Sequence, residues 1–193
     1  MRKETLDGII GIMIGLAIIV LLNWFVITPY TVKGESMSPT FESGDKVLVS
    51  KISKYFSRID EGDVIVFHED DNRDFIKRVI GKPGDTVEYK DDQLYVNHKP
   101  IDEPYLTFNK RYRKSEFLTE NFDVSDIVGA QNKYKIPESR YLVLGDNRLN
   151  SIDSRNPQVG LVEERNIVGE VLIRFWPLHR MTFHFNPGTF DEI

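Results

Sequence analysis

The chain has 193 residues, a formal net charge of −5 and no cysteine, which excludes a disulfide scaffold, a thiol nucleophile and a cysteine-based metal site. Of its 78 hydrophobic residues, 16 lie between Gly8 and Ile27, and the other 62 are spread over 173 residues, as in a soluble domain. Beyond residue 33 the chain carries 22 Lys and Arg against 28 Asp and Glu, so it has no overall basic surface to bind nucleic acid. The composition therefore predicts one folded domain attached to one apolar segment.

The apolar segment 8–27 contains no charged residue, and as a helix with a rise of about 1.5 Å per residue it would span a bilayer of roughly 30 Å once. A cleaved signal peptide is the alternative, but its apolar stretch is usually only about 7 to 15 residues long and is followed closely by a small-x-small site. The first such pair after the run is Gly34/Ser36, which lies well beyond it. We therefore expect an uncleaved transmembrane anchor. Because Arg2 and Lys3 precede the run, we expect a cytoplasmic tail at 1–7 and an extracytoplasmic domain at 28–193.

Short alternating or β-branched runs follow the anchor, and turn residues separate them. They predict a mainly β, antiparallel domain with strands at 46–50, 63–67, 75–80, 86–89, 93–96, 141–144 and 168–176. Residues 102–139 are polar and weakly patterned, and we predict an insertion or small subdomain there. The basic run 109–114 within this insertion is typical of a solvated face.

Few residues are candidates for catalysis. The four histidines lack a metal-binding spacing, and both a phosphate-binding glycine loop and a Gly-x-Ser-x-Gly motif are missing, so we expect neither a metal, a cofactor nor a His-based serine triad. Ser36 lies in a turn sequence after Gly34, and a catalytic serine also needs a base. Lys77 is the candidate base, since on an alternating strand it shares a face with Phe75, which would place an amine among apolar neighbours. Either residue alone is more often structural.

Five motifs taken in order carry more information than these two residues alone. They are Ser36-Met-Ser-Pro-Thr40, Gly44-Asp-Lys-Val-Leu-Val49, Gly62-Asp-Val-Ile-Val-Phe67, Lys77-Arg-Val-Ile-Gly-Lys-Pro-Gly-Asp85 and Gly145-Asp-Asn-Arg-Leu-Asn-Ser-Ile-Asp-Ser-Arg155. Together they resemble the ordered boxes of type I signal peptidases, and the single apolar segment resembles the Gram-positive form of that family. The resemblance implies a membrane-anchored serine endopeptidase that removes signal peptides from secretory precursors by cutting after small residues, in the Ala-x-Ala pattern.

The resemblance also implies roles in catalysis. Ser36 matches the family's nucleophile, Lys77 its general base, and Ser151 a serine that orients the lysine amine by a hydrogen bond. Some members carry a serine two residues before the nucleophile that donates to the oxyanion; this chain has Gly34 there. The Ser36 backbone N–H is then the oxyanion donor that the motif supplies.

Supporting and substrate-binding positions are implied in the same way. Asp153 and Arg155 match a pair that buttresses the site, and Arg78 and Asp146 match positions that hold the surrounding fold. Four apolar residues match positions that line the pockets for the small residues before the cut: Val32, Met37, Phe41 and Ile76.

Two alternatives stay open from the sequence. Self-cleaving Ser–Lys repressor-type proteases share the Ser-Met and Gly-Asp elements, but they carry a soluble DNA-binding segment where this chain has its apolar run. The second alternative is a catalytically inactive or regulatory membrane-anchored β-domain that binds secretory partners. The presence of Ser36, Lys77, Ser151 and Asp153 together favours the enzyme, whose expected partners are the signal peptides of preproteins and the lipid bilayer.

Overall fold

The N-terminal helix α1 (Arg2–Val26) leads directly into the first strand. The computed structural model describes residues 2–53, 59–70 and 73–191, and the side chains of 2–6 and 21–25 lie outside that description, so the predicted anchor is only partly covered. Its described apolar side chains are exposed from Ile9 to Val20. Within the described residues, none of the helices has the length and hydropathy expected of a membrane span.

The part of the chain that the structure describes contains twelve strands. They are β1 (Ile27–Thr31), β2 (Lys46–Ser50), β3 (Val64–Asp70), β4 (Arg73–Gly81), β5 (Val87–Lys90), β6 (Gln93–Val96), β7 (Lys99–Ile101), β8 (Phe122–Asp123), β9 (Arg140–Leu144), β10 (Val162–Glu163), β11 (Ile167–Trp176) and β12 (Thr182–Phe183). Every pairing between them is antiparallel. The predicted mainly β, antiparallel fold is therefore confirmed, and each of the seven predicted strands is present.

The strands form two sheets. The larger has the order β1-β2-β11-β3-β4-β9-β10, with β12 paired to β11, and the smaller has the order β7-β6-β5-β8. Apolar residues of both sheets share one buried cluster, in which Ile80 and Leu144 of the large sheet pack with Tyr89 and Leu94 of the small one. Burial of this apolar surface fixes the small sheet against the strand that carries Lys77.

The segment predicted as an insertion, 102–139, contains little regular structure. It includes the short helix α2 (Thr107–Tyr112) and the two-residue strand β8. Since β8 pairs with β5, the segment completes a sheet that already begins at residue 87. The basic run 109–114 overlaps α2, and it is exposed as predicted at 111–114, whereas Asn109 and Lys110 are half-buried.

Candidate active site

Buried neighbours hold Ser36 in a turn that follows β1. Met37 and Phe41 lie in a cluster with Val32 and Val47, and burial of each large apolar side chain contributes about 1.5–3 kcal/mol to stability. The Phe41 N–H donates to the Met37 carbonyl at 2.9 Å. Ser36 itself is half-buried. The apolar residues of the turn thus anchor it in the core and leave the hydroxyl accessible.

Lys77, on β4, meets Ser36 across 41 residues of sequence. Its Nζ atom lies 2.7 Å from Ser36 Oγ and donates to the Ile76 carbonyl at 2.9 Å. The side chain is 3 % exposed, and Nζ lies 5.0 Å from the centroid of the Phe75 ring. The structure therefore brings together the two residues that the sequence singled out, and places the amine beside the apolar neighbour expected for it.

Burial lowers the pKa of Lys77 to about 8, against the opposing pull of the carboxylates of Asp153 and Asp146. With a pKa near that value, about one amine in ten is neutral at pH 7, compared with roughly one in 2,500 for a free lysine. A neutral amine at hydrogen-bond distance from a serine hydroxyl can accept its proton.

The lowered pKa of Lys77 reduces the stability of the folded protein, and the variant Lys77→Met would reveal this cost. Because the folded pKa is about 8 and the ordinary value is 10.5, the unfolded chain binds more protons between these values, and the free energy of unfolding rises with pH through that window. We expect Lys77→Met to be more stable than the wild type at pH 7 by about 1–3 kcal/mol, because the lost hydrogen bonds offset part of the gain. Urea unfolding at pH 7, 9 and 10 measures the difference, which should shrink as the pH rises. A difference that stays constant with pH would contradict the buried, proton-losing amine.

Asp153 and Arg155 form the pair that the resemblance implies. Arg155 Nε donates to Asp153 Oδ1 at 2.9 Å and Nη2 donates to Oδ2 at 2.8 Å, while the Gly145 N–H donates to Oδ2 at 3.0 Å. Burial alone raises the pKa of Asp153, but Arg155 and the other donors outweigh burial and bring the pKa below its usual range. The carboxylate therefore stays charged and fixes the main chain at Gly145.

Ser151 lies within this region but does not make the hydrogen bond expected of it. Its Oγ atom is buried and has no hydrogen-bond partner of standard geometry in the described residues, although it lies close enough to Asp153 to help lower that residue's pKa. The side chain packs against Gly145, where an added Cβ would lie 2.2 Å from Ser151 Oγ and 2.4 Å from the Ser36 carbonyl oxygen. The implied bond from Ser151 to Lys77 is absent from the described residues, and the Lys77 amine is oriented by Ser36 Oγ and the Ile76 carbonyl instead.

Arg78 and Asp146 form a fully buried, bidentate ion pair. Arg78 Nε donates to Asp146 Oδ1 at 2.9 Å and Nη2 donates to Oδ2 at 2.8 Å, with side chains 1 % and 0 % exposed. Arg78 Nη1 also donates to the carbonyls of Gly62 and Phe185, and the Thr40 hydroxyl donates to Asp146. The pair thus connects the motif of Lys77, the last motif and Thr40 at the far end of the turn that carries Ser36.

Sequence reasoning missed several polar residues that connect the motifs. Arg148 Nη2 donates to Glu103 Oε1 at 2.6 Å and Nη1 donates to the Tyr89 hydroxyl, so a second buried charge pair joins the last motif to the small sheet. Asn147 and Asn109 donate hydrogen bonds to carbonyls of the turn that carries Ser36. Asn147 lies inside a recognised motif, whereas Asn109 lies in the basic run and gave no signal.

A cleft of about 760 Å³ opens at the Ser36–Lys77 pair. Its walls are the extended segment 30–36 and the first half of β4, and Val47 and Val66 contribute apolar surface from the sheet. Of the four predicted pocket residues, Val32 and Ile76 line the cleft. Met37 and Phe41 are not among its lining residues, because both are buried in the core cluster behind it.

One edge of β4 is free along this cleft. The strand pairs with β3 from Arg73 to Arg78 but with β9 only from Arg78 to Gly81, and no other described strand pairs with it. Unpaired main-chain groups on such an edge can bind an extended peptide as an added strand. The cleft therefore combines an unpaired strand edge, an accessible serine hydroxyl and a buried lysine.

Comparison with known proteins places the chain in a family. Residues 5–176 match the family model described as signal peptidase, peptidase S26. The chain is 47 % identical to signal peptidase IB of Staphylococcus aureus strain MRSA252, over 97 % of both chains, and 40 % identical to signal peptidase I S of Bacillus subtilis strain 168, over 93 % of this chain and 94 % of that one. A crystal structure of a signal peptidase I from Enterococcus faecalis V583 is similar, with a TM-score of 0.53 and 36 % sequence identity, covering 58 % of this chain and 96 % of that one.

The cleft and the comparisons together define a serine peptidase. The chain belongs to the signal peptidase family, peptidase S26. The resemblance inferred from the five motifs is thereby confirmed, and the inactive binding domain is not favoured.

Proposed function

We propose that the chain removes signal peptides from secretory precursors by a Ser–Lys dyad, with Ser36 as nucleophile and Lys77 as general base. The observation that carries the assignment of residues is the 2.7 Å distance between Lys77 Nζ and Ser36 Oγ at the wall of a peptide-sized cleft. The lowered pKa of Lys77 supports it, because only an unprotonated amine can act as a base.

The reaction proceeds through an acyl-enzyme. Neutral Lys77 accepts the Ser36 hydroxyl proton while Oγ forms a bond to the scissile carbonyl carbon, and the Ser36 backbone N–H donates to the developing oxyanion. The resulting ammonium gives its proton to the leaving amine as the carbon–nitrogen bond breaks. Lys77, neutral again, then accepts a proton from a water molecule that attacks the ester, and it returns that proton to Ser36 as the signal peptide leaves.

Two ion pairs beside the site support this chemistry without touching the reacting atoms. Asp153 and Arg155 fix the main chain at Gly145, which packs closely against the Ser36 carbonyl, and Arg78 with Asp146 holds the end of the nucleophile turn. In this chain the Ser151 side chain packs against Gly145, beside the Ser36 carbonyl.

The substrate binds as an extended strand along the free edge of β4. Alternate side chains of an extended peptide point to the same side, so residues −1 and −3 before the cut face the cleft while residue −2 faces away. Val32 and Ile76 line the space available to them. Met37 and Phe41 fill the core behind it and thereby limit its depth. Small residues at −1 and −3 fit this arrangement.

Substrate variants test this assignment. With a precursor peptide ending its signal in Ala-Ala-Ala, replacement of the −1 Ala by Phe is expected to lower kcat/KM roughly 100-fold, because the buried wall of the cleft resists overpacking. Replacement of the −2 Ala by Phe is the matched control and should change kcat/KM less than about threefold, since that side chain faces away. Mass spectrometry of the products identifies the bond that is cut. Equal cleavage of the −1 Phe peptide and the parent would refute the pocket assignment.

We also propose that residues 8–27 form a single membrane anchor, with residues 1–7 in the cytoplasm and a catalytic domain at 28–193 outside. The uncharged sequence of this run and the exposed apolar side chains of α1 from Ile9 to Val20 support the anchor, because such a surface is stable in hydrocarbon rather than in water. Ser36 follows the end of α1 at Val26 by only ten residues. An anchor at this distance would keep the nucleophile near precursors that emerge at the membrane and raise its effective concentration toward them.

A further inference from the structure

Three carbonyls close to Ser36, those of residues 35, 36 and 38, accept hydrogen bonds from outside the nucleophile turn, and each of these outside donors belongs to an asparagine. The Asn147 N–H donates to the Ser36 carbonyl at 3.0 Å, and Asn147 Nδ2 donates to the Glu35 carbonyl at 3.1 Å. Asn109 Nδ2 donates to the Ser38 carbonyl at 3.0 Å. Two asparagines thus fix the main chain on both sides of Ser36.

Asn109 does more than hold one side of the turn. The same Nδ2 atom donates its second hydrogen to the Asp146 carbonyl at 2.7 Å. Asp146 precedes Asn147 and follows Gly145, which are the residues that contact Ser36 from the opposite side. One amide group therefore joins the turn that carries the nucleophile to the motif that supports it.

The residues at the start of α2 fix the helix that carries Asn109. Leu106, directly before α2, is fully buried, and the Thr107 hydroxyl donates to the Pro104 carbonyl at 2.7 Å. The neighbouring side chains Phe108 and Tyr112 are exposed, so Asn109 is the member of α2 whose hydrogen bonds reach the active-site main chain. The segment 102–139 thereby contributes a residue to the geometry of the dyad.

We propose that Asn109 is a positioning residue for Ser36, acting through the Ser38 and Asp146 carbonyls to keep Ser36 Oγ within hydrogen-bond reach of Lys77 Nζ. It touches neither the substrate nor the reacting atoms. The physical basis is that displacement of a reacting group by about 1 Å can cost roughly 100-fold in rate. The proposal rests on the proposed function, because it takes Ser36 as the nucleophile.

The variant Asn109→Asp provides the sharpest test. It keeps the size and shape of the side chain but replaces the two amide hydrogens by an oxygen that repels both carbonyls. We expect kcat to fall about 10- to 100-fold with KM changed less than twofold, because Asn109 is not among the residues that line the cleft and its loss displaces the Ser36 hydroxyl rather than the substrate-binding walls. Asn109→Ala, which removes the bonds without adding repulsion, should change kcat in the same direction. Arg111→Ala, an exposed change on the same helix, is the matched control and should retain wild-type kinetics.

Urea unfolding of the same variants separates positioning from folding. The expected result for Asn109→Asp is a lowered kcat in protein that remains folded, as its unfolding curve shows, under the conditions of the activity assay. A kcat within about twofold of the wild type, or a loss of kcat no larger than the loss of folded protein, would overturn the proposal. Ser36→Ala, included in the same assay, shows separately whether Ser36 is the nucleophile. Cleavage that persists in Ser36→Ala would refute the proposed function rather than the role of Asn109.

Discussion

Ser36→Ala and Lys77→Met are each expected to lower kcat/KM for a signal-peptide substrate by about 1,000-fold or more. The first variant removes the Ser36 Oγ atom, which we propose forms the acyl-enzyme. The second retains an unbranched apolar side chain of similar length in the buried site but removes the only group within hydrogen-bond distance of Ser36 Oγ that can accept its proton, among the described residues. Cleavage of one purified precursor, followed by mass spectrometry, measures both losses.

The losses of kcat/KM in Ser36→Ala and Lys77→Met should not add in the double variant. Because nucleophile and base act as one unit, the double variant is expected to be no slower than the slower single variant within about threefold. Lys90→Met, the same substitution at an exposed strand position, is the matched control and should keep wild-type activity. Full activity in either single variant would show that the dyad is assigned wrongly.

The wild-type pH profile provides a second readout of the same pair. Burial lowers the pKa of Lys77 to about 8, so kcat/KM should rise tenfold per pH unit below that value and level off above it. A profile that is flat from pH 6 to 10 would contradict a lysine base. A rise that continues to pH 10 would show that the amine is not buried in the working enzyme.

The strands that position the dyad could be predicted because alternation of apolar residues is a local signal. This is why β2, β3, β4, β9 and β11 were found within a few residues of their ends. Strand β1 was missed because Ile27–Thr31 continues the apolar run of α1 and contains Pro29. Strands of two or three residues, such as β8 and β10, contain too little sequence for a period to be recognised.

The residues of the site could be predicted where they lie in the five recognised motifs. Alternation on β4 placed Lys77 beside Phe75, but the distance from Lys77 to Ser36 depends on how β4 lies against the turn after β1, which no local pattern encodes. Met37 and Phe41 show the same limit, since sequence cannot distinguish a side chain that lines a pocket from one buried behind it. Asn109 was missed because its partners are main-chain carbonyls, which every residue possesses.

The buried pair of Arg78 and Asp146 carries the largest stability effect that we expect. Asp146→Asn preserves the shape of the side chain but leaves the Arg78 guanidinium, 1 % exposed, without its counter-charge. Breaking a buried pair in this way costs about 3–5 kcal/mol, because the remaining charge is neither solvated nor paired. Urea unfolding at pH 7 should therefore show a free energy of unfolding lowered by about that amount.

The control for this prediction is the same substitution in a surface pair. Asp60 lies 3.0 Å from Lys82 Nζ and is 55 % exposed, so Asp60→Asn should cost no more than about 1 kcal/mol. The double variant Arg78→Met/Asp146→Asn distinguishes the unpaired charge from general disruption. If the unpaired charge is the cause, removing Arg78 as well should recover part of the stability lost in Asp146→Asn, whereas losses that simply add would show that the two residues act independently. This pair joins the motif of Lys77 to the end of the turn that carries Ser36. We expect the loss of the pair to let this turn open before the whole domain unfolds, so a variant that still folds should lose activity at temperatures well below its unfolding midpoint.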